Sequence, residues 1–153
     1  MRVTRALRRD DRGMALVEFA LVMPALMLVL VGCLDFGRAL NAYVIVANAS
    51  REGARYAMLH PDADASAIKA SVTARIAPLD ASAFTVTPTY DRGSGPQPWP
   101  VGGIPPSSPV PAAIRVHVVT SYEWQASTWI VGSLFSATGS RTFGSSSTME
   151  TVR

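Results

Sequence analysis

Gly13 and Glu18 stand on either side of the start of an apolar run, in the segment Arg12-Gly13-Met14-Ala15-Leu16-Val17-Glu18-Phe19. Their types and spacing suit hydrolysis of a peptide bond at a membrane surface by another protein. A protease working there needs a small, flexible residue on the leader side of the scissile bond, and glycine leaves the backbone open to approach. Cleavage between Gly13 and Met14 would give Met14 a new α-amino group, cationic at neutral pH. The carboxylate of Glu18, one turn along a helix, can neutralise such an amine, either its own or a neighbour's. An ionised group in an apolar segment asks for a partner. In a bundle of like helices, Glu18 meeting the Met14 ammonium of the next subunit would fix the axial register; alone, Glu18 can reach toward the head groups.

The remaining chemistry-bearing residues assemble no catalytic pattern. Serine is frequent, but there is no Gly-x-Ser-x-Gly elbow, no paired carboxylates and no glycine-rich phosphate loop. His117 alternates with Val116 and Val118 and reads as a strand residue facing solvent. His60, before Pro61, reads as a helix-terminus residue favoured by the dipole. Cys33 is the single cysteine, so no internal disulfide forms, and two histidines make a protein-built zinc site unexpected. We expect no enzyme activity, no cofactor, no metal and no small-molecule substrate.

Charge placement narrows the class further. Of 153 residues 48% are hydrophobic and only 16% charged, against about 25% charged in ordinary domains, so part of the chain belongs in lipid. The net charge of +3 resides in the first dozen residues, where Arg2, Arg5, Arg8, Arg9 and Arg12 face Asp10 and Asp11. The rest carries nine basic and nine acidic side chains, which offers nucleic acid no basic surface.

The elements that must position Gly13 and Glu18 follow from periodicity. Met14–Leu34 is a 21-residue run in which Glu18 is the only charge and Pro24 the only strong helix breaker. As a helix rising about 1.5 Å per residue it is roughly 30 Å long, the thickness of a bilayer's hydrocarbon core. Residues 1–13 form a basic leader, which the positive-inside rule places in the cytoplasm, with the C-terminal bulk outside. No turn signal occurs before His60-Pro61, so the helix is predicted to continue over 35–60. Phe36, Leu40, Tyr43, Ala47, Ala54 and Met58 would form its packing face, opposite Arg38, Asn41, Asn48, Arg51 and Arg55. Glu52 is better placed to face another element than to pair with Arg51 or Arg55.

Residues 61–153 read as an exported α+β domain, so the fold class is a long N-terminal, partly transmembrane helix followed by a short helix and a small antiparallel sheet. In PDADASAIKASVTARIAP, Asp62 or Asp64 is the N-cap, and Ile68, Val72 and Ile76 form an apolar stripe that would cover the sheet. A strand is expected around Phe84, Val86 and Thr87. A second is expected over Ala113–Gln125, with Ile114, Val116, Val118 and Tyr122 on one face, and a third within Arg141–Thr151. Between the first two lies 91–111, which holds seven of the eleven prolines and is expected as a long exposed loop outside any ladder. Trp99 within it is either a contact anchor or part of a variable hairpin loop.

RGMALVEFALVMPALMLVLVGCLDFGRAL, followed by NASREGARYA, resembles the TadE-like family, the minor pseudopilins of the tight-adherence (Tad, or Flp) pilus system. The resemblance covers about residues 10–58. It rests on Gly13, Ala15, Val17-Glu18-Phe19-Ala20, Pro24, Asp35-Phe36-Gly37 and Arg51-Glu52-Gly53-Ala54-Arg55. It implies cleavage after Gly13 by a prepilin peptidase and a role for Glu18, Phe19 and Pro24 in register and assembly. It also implies a bacterial inner-membrane location with a periplasmic domain, with the pilus or cell surface as a further destination. The implied partners are the membrane, the peptidase, other pilins and pseudopilins, and the Tad assembly-platform proteins.

Two rival readings come from the residues themselves. Leu30-Val31-Gly32-Cys33 fits a lipobox, and lipidation of Cys33 would discard the helix. Against it, Glu18 and Pro24 interrupt the apolar region and a helical pattern follows Cys33 where a flexible tether is expected. The other rival is an uncleaved single-span anchor that presents a binding domain without any pilus.

Overall fold

A computed structural model describes residues 11–105, 113–129, 132–133 and 138–152. Most of the expected leader, residues 1–10, and the end of the Pro-rich segment, 106–111, lie outside the described residues. Its last residues are helical: α1 runs without interruption over Asp11–Leu59, 49 residues or roughly 70 Å. Pro24 lies inside it. The helix stops where Pro61 disfavours helical backbone at His60. His60 finishes the last turn, its N–H donating to the Tyr56 carbonyl at 2.9 Å and its ring stacked on Tyr56 at 4.4 Å.

The two halves of α1 have different surroundings. From Gly13 to Leu34 large apolar side chains are exposed all round, including Met14, Leu16, Phe19, Leu21, Leu26 and Leu30. The upper half lies on a sheet. Its packing face is Asp35, Ala42, Val46, Ala49-Ser50, Gly53-Ala54 and Ala57, all buried. This corrects the expected face: Ala54 belongs to it, but Phe36, Leu40 and Tyr43 remain about half exposed. Small side chains win because they let the helix backbone approach the sheet closely, which the larger residues would prevent.

The sheet has four antiparallel strands in the order β2-β1-β3-β4, with β1 at Phe84–Asp91, β2 at Gln97–Pro98, β3 at Ala113–Gln125 and β4 at Ser140–Val152. Alternation along β3 buries Ile114, Val116, Val118, Thr120 and Trp124 against α1 and leaves Arg115, Val119 and Glu123 outward. His117 lies on that outer face, half buried, with Nδ1 2.8 Å from Thr148 Oγ1. β4 runs in the direction of α1 and β3 against it, as the neighbours Tyr43–Phe143, Ser50–Ser145 and Asp35–Ser127 require.

Helix α2, Ala65–Thr73, closes the core at the β1 side with Ile68 and Val72, and Ile76 is buried just beyond its end. Each buried Val or Ile contributes about 1.5–3 kcal/mol of transfer free energy. Asp64 is the N-cap by position, yet its carboxylate makes no capping bond and instead accepts the Gly102 N–H at 2.6 Å.

That contact belongs to a larger correction in the Pro-rich segment. Gln97–Pro98 joins the ladder as a two-residue edge strand on Tyr90 and Thr89, which proline tolerates at an edge. Trp99, expected to stand exposed as a contact anchor or to sit in a free hairpin loop, is 7% exposed. Its indole N–H donates to the Ala63 carbonyl at 2.8 Å, and Tyr90 meets its ring edge-on. Ile104 is buried and donates its N–H to the Pro61 carbonyl at 2.6 Å. Gly103, at φ +79°, lies so close to the Asp62 backbone that a β-carbon would sit 2.3 Å from its carbonyl carbon. Here the bulky aromatic has more to gain inside the small core than in water.

Candidate assembly and processing site

The expected processing residues occupy the free end of α1. A β-carbon at Gly13 would meet nothing within 4 Å, so nothing packed on it in this chain requires glycine. Met14 is 71% exposed and Phe19 61%, and Glu18 stands one helical turn past Met14, also exposed. Pro24 is likewise on the surface. The structure therefore leaves Gly13, Met14, Glu18, Phe19 and Pro24 free of the folded domain, on an apolar cylinder whose covering must come from lipid or other helices. The helix containing Gly13–Leu59 is long and apolar enough to cross a membrane, and the most apolar window has none of its residues buried.

The second group of motif residues stands where this cylinder meets the domain. Asp35, directly after Leu34, is 1% exposed. Its two carboxylate oxygens accept the Ser127 N–H at 3.1 and 3.3 Å, just past the end of β3, and Arg38 pairs with it at 3.2 Å. Phe36 is exposed, and Gly37 has open space around it. So of Asp35-Phe36-Gly37 only the aspartate holds the fold: it ties the top of the apolar segment to the sheet.

Arg51-Glu52-Gly53-Ala54-Arg55 performs the same joining task two turns below the helix end. Arg51 is exposed and donates to Asn48 Oδ1 at 3.1 Å. Glu52 does face another element, as expected, accepting from Arg75 after α2 at 3.1 Å; contrary to expectation it also accepts from Arg55, at 3.2 and 3.3 Å. Three residues along a helix is close enough for both pairings. The Arg55 hydrogen bond, aided by the charges of Arg55 and Arg75, holds the Glu52 carboxyl below the usual carboxylate range. Gly53 and Ala54 are buried, and a β-carbon on Gly53 would lie 2.4 Å from Val72 Cγ2 and 3.1 Å from Val118 Cγ1. α1, α2 and β3 converge on this glycine.

Several joining residues are absent from the motif readings above. Ser50 is fully buried, 3.0 Å from Ser145 Oγ, and Thr120 donates to the Ser145 carbonyl at 3.2 Å, so α1, β3 and β4 share a small hydroxyl cluster. The spacing Ala42, Val46, Ala49, Gly53, Ala57 carried the signal for this face, at steps of three and four.

The architecture defines a class: a single apolar helix, uncovered for its first half, whose second half is built into a small α+β domain. Within it, residues 13–55 match the family model of the TadE-like proteins, so this segment is TadE-like. The match implies a protein related to the Tad pilus, with an N-terminal membrane-spanning helix. No curated protein and no solved structure matches the chain.

Proposed function

We propose that this chain is a minor pseudopilin of the tight-adherence pilus, held in the bacterial inner membrane by α1 with its domain in the periplasm. In this reading a prepilin peptidase cuts after Gly13. The chain acts by assembly, without catalysis or cofactor. The observation that carries it is the bare apolar half of α1, with Glu18 as its single charge, continuous with a helix half that is sealed into the domain. Lipid stores the first half, and packing against other pilins and the assembly platform replaces lipid contacts with helix contacts. Glu18 then finds its ammonium partner on a neighbouring Met14.

N-terminal sequencing from cells with and without the peptidase tests the cleavage step: the expected mature residue is Met14, only where the peptidase is present. An unchanged Met1 terminus in both would favour the uncleaved single-span anchor. A lipid-modified Cys33 at the new N-terminus would favour the lipoprotein. Against the lipoprotein, Cys33 lies within continuous α1, two residues before Asp35 and its bond to Ser127. A flexible tether has no room there.

A further inference from the structure

We propose that Trp129, in the turn just past β3, is a second membrane contact, which rests the foot of the domain on the outer lipid surface. This rests on reading Met14–Leu34 as the span. If Leu34 ends the span, Asp35 lies at the interface, and Asp35 holds the backbone of Ser127 at 3.1 Å. Trp129 follows two residues later and is 82% exposed, among the most exposed large apolar residues of the domain. The turn that carries it is closed by the Gly132 N–H on the Thr128 carbonyl at 2.9 Å. The connection is pinned at its base by the Ala126 N–H on the Gly139 carbonyl at 3.2 Å. Two residues of chain span at most about 7 Å, so Trp129 stays near the level where α1 leaves the hydrocarbon.

The chemistry of that level suits lipid. Indole prefers the head-group region, where its ring meets acyl chains and its N–H meets water. The whole connection 126–139, ASTWIVGSLFSATG, contains no charged residue. Exposed Phe36 lies at the same level on α1, and Arg38, with 58% of its side chain exposed, can reach lipid phosphates.

The test uses the full-length protein in vesicles of phosphatidylethanolamine and phosphatidylglycerol, with Trp99→Phe and Trp124→Phe leaving Trp129 as the only tryptophan, excited where tyrosine does not absorb. Spin-labelled phosphatidylcholine with the label near the head group should quench most of the Trp129 emission. A chain-end label should quench less, and aqueous acrylamide little. Emission quenched by acrylamide and untouched by either lipid label overturns the proposal. Should the double variant fail to fold, Trp129→Cys with Cys33→Ser, carrying an environment-sensitive dye, reads the same position. Alkaline carbonate extraction of the same vesicles tests the span separately. Protein retained in the lipid with Trp129 in water leaves the span standing and removes this contact; protein released into the wash removes both.

Discussion

Gly53 and Val72 face each other so closely that a β-carbon on the glycine would fall 2.4 Å from Val72 Cγ2. Two helices and the middle of β3 are drawn together at this point, since Val118 stands 3.1 Å from the same position.

Gly53→Ala should therefore destabilise the domain, although the same change in an open helix stabilises by about 1 kcal/mol. Val72 is β-branched and buried, with little rotamer freedom to yield. Overpacking costs about 1–3 kcal/mol, which the propensity gain offsets in part, and we expect a net loss of up to about 2 kcal/mol. Thermal unfolding in detergent, followed by near-UV dichroism, measures it. A variant as stable as the parent would mean that the helices can separate at no cost. Gly37→Ala, where a β-carbon meets nothing, is the control and should stabilise by about 1 kcal/mol.

How much of this was legible in the sequence depended on the range of the contact. The single long helix, the short second helix, β3 and β4 followed from local periodicity and from proline placement at 61 and 78. The packing face of α1 did not, because hydrophobic size pointed to Phe36, Leu40 and Tyr43. Close approach to a sheet selects small residues, a property of the partner surface that no local pattern states. The burial of Trp99 escapes a local pattern for the same reason: prolines around it announce irregular backbone, and nothing local tells whether that backbone folds onto Ala63. Asp35 and Glu52 stood out by their neighbours, but their partners Ser127 and Arg75 lie 92 and 23 residues away.

Trp99→Ala should behave as a core truncation, not as the loss of a surface contact. The ring fills the gap between Tyr90, Ala63 and the α2 entry, and removing a buried aromatic costs about 3–5 kcal/mol. Trp99→Phe keeps most of the packing and loses the hydrogen bond to Ala63, for which about 1 kcal/mol is expected. Limited proteolysis of the 91–105 segment distinguishes the two, with rapid cutting in the alanine variant only. Equal resistance of parent and alanine variant would show that the loop is held without the indole.

Acid should loosen the domain through two carboxylates. Asp91 accepts the N–H groups of Gly93 and Gly95 at 2.7 and 2.9 Å, and these bonds, with the nearby Arg115 charge, hold its carboxyl below the ordinary range. Glu52 is lowered by Arg55 and Arg75. A folded value below the unfolded one means that the unfolded chain binds protons first as pH falls. The stabilisation is complete above the unfolded values of about 3.9 and 4.3, and it disappears as pH drops through the lower folded values. Melting temperature should be level at neutral pH and decline below about pH 4. Glu52→Gln should lower stability at neutral pH and flatten part of that decline. A decline of unchanged steepness would exclude Glu52 from it.

Glu18→Ala separates storage in the membrane from assembly. The side chain touches nothing in the folded domain, so the variant should keep the parent's unfolding curve. Insertion should be as good or better, because an ionisable group has left the apolar segment. Under the proposed assembly reading it should lose support of fibres, since the Met14 ammonium of a packed neighbour would then lack its counter-charge. Glu18→Gln should restore fibres poorly, having the shape without the charge, and Glu18→Asp partially. Membrane fractionation, domain melting and counts of surface fibres on the same cells give the three readouts. Normal fibres with Glu18→Ala would leave the carboxylate a role at the head groups alone, and with it the single-span anchor as the better reading of this helix.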